Sequence, residues 1–200
     1  MIDLTLFSAL ATFYFTMFIT PGPNNAMLTA SGMKFGFVRT LPHLIGIPLG
    51  HILQISLTCF GLANLFLLYP NLQIYMKISC FIYLVYLSWK MIGSFSLVKK
   101  KAGRPLKFYE ASLFQFINPK AWSIAIAVAS GFFPTEEENI FIGTIFVTLT
   151  AAVICFPTIS LWALFGSGLK NFVKKAKTKK IIEYMLALLL VLTGIYILIK

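Results

Sequence analysis

The chain has 200 residues, 58% of them hydrophobic and 12% charged, and 17 Lys and Arg against 6 Asp and Glu give a net charge of +11. Mean hydropathy is +0.85. A soluble domain carries about 25% charged and roughly 45–50% apolar residues, so this composition excludes a disordered chain, a water-soluble enzyme core and a coiled coil, and predicts an all-α polytopic membrane protein.

A membrane helix needs about 20 apolar residues, and six stretches qualify: 4–30, 41–66, 74–96, 108–132, 140–166 and 181–199. The first follows Asp3 rather than a basic cluster and has no convincing cleavage site after it, so it reads as a retained span and not as a signal peptide. Inside it lies Thr20-Pro21-Gly22-Pro23-Asn24-Asn25. Proline has no N–H, so Pro21 and Pro23 free the carbonyls of Met17 and Ile19. A freed group in hydrocarbon costs several kcal/mol unless something bonds it. Thr20, Asn24, Asn25 and Asn118 are polar side chains suited to that task.

The second stretch holds His43 and His51, of which His51 lies deeper and is a candidate proton relay, and Gly46-x-x-x-Gly50, which suits close helix contact. The third has Lys77 and Lys90 near its ends, where both can snorkel. The fourth breaks at Asn118-Pro119-Lys120, where Pro119 frees the carbonyl of Gln115. The fifth ends near Gly166-x-Gly168, a weaker contact motif. Asp3, Glu110 and Glu183 all fall near span ends, so no carboxylate relay is on offer inside the bilayer.

Charge separates the connectors. The first holds Lys34 and Arg39; the third Lys99, Lys100, Lys101, Arg104 and Lys107; the fifth Lys170, Lys174, Lys175, Lys177, Lys179 and Lys180. These account for 13 of the 17 basic residues. The second connector, around Tyr69-Pro70-Asn71, has none, and the fourth carries Glu136, Glu137 and Glu138. With six spans the odd connectors share one side, and the positive-inside rule makes it cytoplasmic. Both termini then face out. The same distribution argues against nucleic acid as a partner, because the positive charge marks membrane topology and not a phosphate-binding face.

Residues 18–25 (F-I-T-P-G-P-N-N) resemble residues 116–123 (F-I-N-P-K-A-W-S) at an offset of 98, and Ala30-Ser31-Gly32 matches Ala129-Ser130-Gly131 at 99. The chain therefore divides into a three-helix repeat over 1–97, a basic linker over 98–107 and a second repeat over 108–200. Each half has an odd number of spans, so the second enters from the opposite side, giving two inverted repeats with first and fourth helices broken. Paired breaks in corresponding spans point to a substrate site near the midplane, with half-helix N-termini offering partial positive charge to an anionic group.

Lys120 lies about halfway along the fourth stretch, where a lysine costs about 2.5–3.5 kcal/mol on insertion scales. It is expected to face a polar cavity, where it either holds a substrate carboxylate, carries a proton, or bonds freed carbonyls of the other half. The sequence contains no phosphate-binding loop, nucleophile elbow, metalloprotease motif, dinucleotide fingerprint or potassium-filter run, so no enzyme activity and no cofactor are expected. Cys59, Cys80 and Cys155 stand alone in apolar segments. A thiol–disulfide electron carrier of similar layout would need two of them to pair, but a depth count separates Cys59 and Cys155 by roughly 12 Å, against a limit of about 7 Å between Cα atoms. A membrane scaffold needs neither a deep lysine nor two breaks, and a cation exporter would need buried carboxylates or Cys/His clusters.

Thr20-Pro21-Gly22-Pro23-Asn24-Asn25 resembles the signature of the LysE-type (lysine exporter/RhtB) amino-acid translocator family, and Asn118-Pro119-Lys120-Ala121-Trp122 resembles its second motif. Gly36, Gly46-Ile47, Gly50, Tyr83-Leu84 and Trp89-Lys90 fit the same pattern, while Cys80 and Ser88 stand where the family often has glycine. The resemblance implies a bacterial inner-membrane exporter of amino acids or their derivatives, driven by the proton motive force. It implies Pro21, Gly22, Pro23, Asn24, Asn25, Asn118, Pro119 and Lys120 as substrate-pathway residues. The substrate and the oligomeric state, a homodimer included, stay open.

Overall fold

Proline and glycine decide where the helices stop. The structure, a computed structural model, describes residues 4–62, 68–69, 71–92, 103–133, 140–172 and 176–199. Among these it has α1 (Leu4–Ile19), α2 (Pro23–Phe35), α3 (Phe37–Leu57), α4 (Asn71–Met91), α5 (Phe108–Ile117), α6 (Pro119–Gly131), α7 (Ile140–Phe172) and α8 (Ala176–Ile199). No strand occurs among the described residues.

The first break is where the sequence places it. α1 ends at Ile19, and α2 starts with Pro23 at its first position behind an extended Gly22. The two helices are bent by 56°. The second break is a single residue, Asn118, whose extended backbone (φ −88°, ψ 107°) separates α5 from α6.

Two connectors differ from expectation. The first, expected across residues 31–40, is a single residue. α2 runs on to Phe35, and Gly36 turns the chain with φ 86°, in the left-handed region that glycine tolerates. Lys34 and Arg39 therefore lie in the flanking helices: Gly32 stays helical within α2, and Gly36 is the residue of that segment with positive φ. The fifth connector is also shorter than expected: α7 extends 33 residues to Phe172, and α8 begins at Ala176, so Lys177, Lys179 and Lys180 are helical. At the other end of α3 a π-helical turn, Thr58–Leu62, closes on Gly61 with φ 105°. Asp3, Pro70, Lys99, Lys100, Lys101, Glu136, Glu137, Glu138, Lys174 and Lys175 lie outside the described residues.

Among the described residues two helices, over Phe37–Gly61 and Ile140–Leu169, are long and apolar enough to cross a membrane, and the bent α1–α2 pair makes a third if counted as one span. In α4 a shorter apolar helix runs over Lys77–Trp89, and the fourth stretch is divided at Asn118 into helices of 10 and 13 residues.

Lipid tails are as apolar as leucine, so helix association in a membrane rests on close packing and interhelical hydrogen bonds. Small residues supply that closeness. α2 packs most heavily on α7, α3 on α5 and α7, and α4 on α8. A Cβ on Gly32 would sit 2.2 Å from the Ala163 carbonyl oxygen, and one on Gly166 2.1 Å from that of Thr29, so each backbone presses on the other across the α2–α7 seam. Gly46 and Gly50 do the same for α3 on α5: their added Cβ atoms would lie 2.2 Å from the Phe108 oxygen and 2.6 Å from the Ser112 oxygen. The Ser112 hydroxyl donates to the Gly46 carbonyl at 2.7 Å.

Among the described residues Gly168 meets nothing within 4 Å, so the contact of that motif is carried by Gly166. Gly131, aligned with Gly32 in the sequence match, likewise meets nothing within 4 Å among the described residues, so the Ala-Ser-Gly match is not matched in packing there. Cys80 and Ser88 are both buried between α4 and α8, where the Ser88 hydroxyl donates to the Ala187 carbonyl at 2.9 Å. The non-glycine residues are thus accommodated at that contact. Leu10, Tyr14, Phe18, Ile124 and Ile159 belong to one buried cluster beside the breaks. Leu149, Val153, Leu161 and Phe165 stand exposed on the outer face of α7, as lipid-facing residues would.

Candidate functional site

The breaks of the two halves meet, and the carbonyls at the end of α1 are satisfied one by one. The Thr20 N–H donates to Thr16 O at 3.2 Å, and the Thr20 hydroxyl donates to Met17 O, freed by Pro21, at 2.9 Å. The Asn25 amide donates to Phe18 O and Thr20 O, both at 2.8 Å. Ile19 O, freed by Pro23, accepts from the Trp162 indole at 3.2 Å. In the second half, Gln115 O, freed by Pro119, accepts from the Gln54 amide at 3.1 Å and from the Asn118 N–H at 3.2 Å. Phe116 O accepts from the Trp122 indole at 2.9 Å.

Lys120 joins the halves. Its ammonium donates to Thr20 O at 2.9 Å, to the Thr20 hydroxyl at 2.8 Å and to Pro21 O at 3.3 Å. An ammonium has three N–H donors, so all three are engaged. Helix electrostatics explains the lean. Lys120 is the second residue of α6, where a cation opposes the positive end of its own helix, whereas the carbonyl end of α1 is negative. Gly22 leaves room for it: a Cβ there would lie 3.0 Å from Lys120 Cδ and 3.2 Å from its Nζ. Of the three roles expected for Lys120, bonding the carbonyls of the other half is the one present in this conformation.

Asn118 caps α6 through its side chain, which accepts from the Lys120 backbone N–H at 3.2 Å. Asn24 does not bond freed backbone. Its amide donates to Gln115 Oε1 at 2.9 Å, and the Gln115 amide donates back to Asn24 Oδ1 at 3.3 Å. A reciprocal side-chain pair thus ties α2 to α5.

Beside these contacts lies a cleft of about 310 Å³, its open mouth included. Gly22, Pro23, Asn24, Asn25, Asn118, Lys120 and His51 line it, with an apolar wall that includes Met17, Phe18, Ile47, Ile124 and Ile159. Thr20, Pro21 and Pro119 are not on its wall; they shape the breaks behind it. The N-terminus of α2 opens onto this space. His51 is 2% exposed and edge-on to Phe18, with ring centroids 5.2 Å apart. Its Nδ1 has no hydrogen-bond partner among the described residues. His43 is buried away from the cleft, and neither of its ring nitrogens has a partner among the described residues.

The sequence reading missed the amides of Gln54 and Gln115 and the indole of Trp162, whose partners lie 61, 91 and 143 residues away. Cys59, Cys80 and Cys155 are all free thiols, and none lines the cleft. Cys59 packs against the core cluster that contains Cys155. Among the described residues no group of three His, Cys, Asp or Glu side chains is placed to hold a metal ion.

Comparison with known proteins points to transport. The chain is similar to the cysteine/O-acetylserine efflux proteins of Escherichia coli O9:H4 (strain HS), Escherichia coli (strain K12) and Shigella sonnei (strain Ss046). Identity to each is 26% over 194 residues, covering 96% of this chain and 97% of the relative. No solved structure gives a significant match. Residues 15–200 match the family described as LysE type translocator, and the match takes in both breaks, the cleft and Lys120: the chain belongs to the LysE type translocator family.

Proposed function

We propose that this protein is a secondary active exporter of amino acids or amino-acid derivatives in the bacterial inner membrane, working by alternating access. The observation that carries the reading is the contact of Lys120 with Thr20 and Pro21 across the two breaks, at the edge of a cleft lined by Asn24, Asn25 and Asn118. The efflux activity named for the similar enterobacterial proteins supports the same class of cargo.

In this reading the chain crosses the bilayer six times as two inverted three-helix repeats, over 1–97 and 108–200, with both termini periplasmic. Gly22, Pro23, Asn24, Asn25, Asn118 and Lys120 line the substrate site, and Thr20, Pro21 and Pro119 shape the breaks behind it. A substrate carboxylate takes over the oxygen positions around the Lys120 ammonium that Thr20 and Pro21 fill here. A charged acceptor makes shorter and stronger bonds to an ammonium than a neutral carbonyl does. Releasing Thr20 and Pro21 unties α1 from α6, and one half rocks against the other. A neutral zwitterion needs no compensating charge, and antiport of protons, with His51 or Lys120 as carrier, adds driving force.

The test is efflux of a panel of amino acids from preloaded proteoliposomes, with and without a pH gradient. Accelerated efflux of at least one amino acid, increased by the gradient, supports the reading. Efflux no faster than from protein-free vesicles across the panel overturns it.

A further inference from the structure

We infer that α1 is the moving gate of the cleft, swinging about the Pro21-Gly22-Pro23 break and latched shut by the Tyr14 hydroxyl on α7. The inference rests on the transport reading and assigns the gate and its latch to named residues.

The cleft ends against a dry seam. Phe18 of α1 and Ile159 of α7 line it. Going back along α1 from Phe18 come Tyr14 and Leu10, and going back along α7 from Ile159 come Cys155, Ala151 and Val147, in steps of four residues. All of them are buried, and they share one cluster with Phe18 and Ile159. Residues four apart lie on one helix face, so two stripes close on each other beyond the cleft. Parting them would extend the cleft toward the start of both helices.

Tyr14 ties this seam. Its hydroxyl donates to Val147 O at 3.0 Å, from a position 133 residues away. Its ring lies parallel to that of Phe18, with centroids 5.5 Å apart. No water replaces a hydrogen bond lost in such a place, so the bond holds α1 on α7 and keeps Phe18 over the cleft. Ser8, Thr12 and Thr16 direct their hydroxyls to carbonyls of α1 itself and give no such tie.

α7 is gripped differently on the two sides of the break. α2 and α7 press backbone on backbone at Gly32 and Gly166. α1 has no glycine and meets α7 through side chains. α1 is bent by 56° from α2, and Pro21 and Pro23 lack the N–H groups that would carry the helical ladder across the joint. α1 is thus free to leave α7 while α2 stays. The bonds from Lys120, Trp162 and Asn25 all reach the end of α1 or the break itself, where a swing moves the chain least. Tyr14 lies about 12 Å from Gly22 at 1.5 Å per residue, so a small rotation parts its bond. With both termini periplasmic, as proposed above, this gate opens outward.

The experiment is electron–electron double resonance between spin labels on the full chain in lipid nanodiscs, with Cys59, Cys80 and Cys155 replaced by alanine throughout. Labels at Phe7→Cys and Leu149→Cys report α1 against α7. Labels at Leu49→Cys and Leu113→Cys report α3 against α5 across the Gly46 and Gly50 contact. All four positions are exposed. Tyr14→Phe removes the hydroxyl and keeps the ring. It is expected at least to double the longer-distance population of the first pair and to leave the second pair at one unchanged distance. A general loosening of the fold would broaden both pairs alike. A first pair unchanged by Tyr14→Phe, or an equal change in both pairs, overturns the gate. Efflux from proteoliposomes of the wild type is measured alongside: failure to move any amino acid overturns the exporter reading itself, whatever the distances show.

Discussion

Asn24 and Gln115 exchange hydrogen bonds in both directions, at 2.9 and 3.3 Å, between positions 91 residues apart on either side of the two breaks. Gln115 is fully buried, so truncating Asn24 leaves its Oε1 without that donor while its Nε2 keeps the Ala111 carbonyl at 2.8 Å. Asn24→Ala and Gln115→Ala are each expected to cost about 1–3 kcal/mol. The double variant should cost less than the sum of the two by roughly 0.5–3 kcal/mol. Thermal unfolding of the three variants in one detergent measures this. Strictly additive shifts in Tm would mean that the pair contributes nothing as a pair.

The α2–α7 seam has no room for a methyl group. Gly32→Ala and Gly166→Ala would each drive a Cβ to within 2.2 Å of a backbone oxygen, and backbone cannot rotate aside as a side chain does. Each is expected to lower stability by at least the roughly 1–3 kcal/mol typical of overpacking. Gly168→Ala, with open space around it, is expected to be neutral or mildly stabilising, since alanine is favoured over glycine in a helix by about 1 kcal/mol. Yield and Tm of the three variants check the contrast.

How much of this was legible in the sequence follows from the range of each interaction. Both breaks were readable because proline acts on its own helix: Pro21, Pro23 and Pro119 stop or start helices where they stand. Lys120 was readable because a mid-span charge is costly wherever it points. The α3–α5 contact was readable from the spacing of Gly46 and Gly50. The partners of the freed carbonyls were readable only where they were local, as with Thr20 on Met17 and Asn25 on Phe18. Trp162 on Ile19 and Gln54 on Gln115 leave no periodic signal, and a tryptophan or glutamine in a span has many other uses. The first connector was drawn too long because Lys34 and Arg39 look like loop residues, although charged residues sit readily at helix ends.

The cysteines play no part in the account. Cys80 and Cys155 are buried, Cys59 is partly so, and none faces the cleft. Treatment of proteoliposomes with N-ethylmaleimide is expected to leave amino-acid efflux within twofold of the untreated rate. Loss of efflux that dithiothreitol protects would revive a thiol-dependent mechanism.

Thr20→Val removes one of the three acceptors of Lys120 and the donor to Met17 O, while leaving both backbone carbonyls in place. The expected cost is about 1–3 kcal/mol of stability, with efflux reduced but measurable. Thr20→Ser keeps the hydroxyl and should behave as wild type. A Thr20→Val protein as stable as wild type would show that the hydroxyl is not needed to hold the break closed.

Lys120 is where the two halves, the cleft and the proposed cargo converge, and Lys120→Met, which keeps length and removes charge, isolates its role. Efflux of the transported amino acid from preloaded proteoliposomes is predicted to fall at least a hundredfold in a variant that still elutes as a monodisperse species. Efflux of that variant within threefold of wild type would contradict the account.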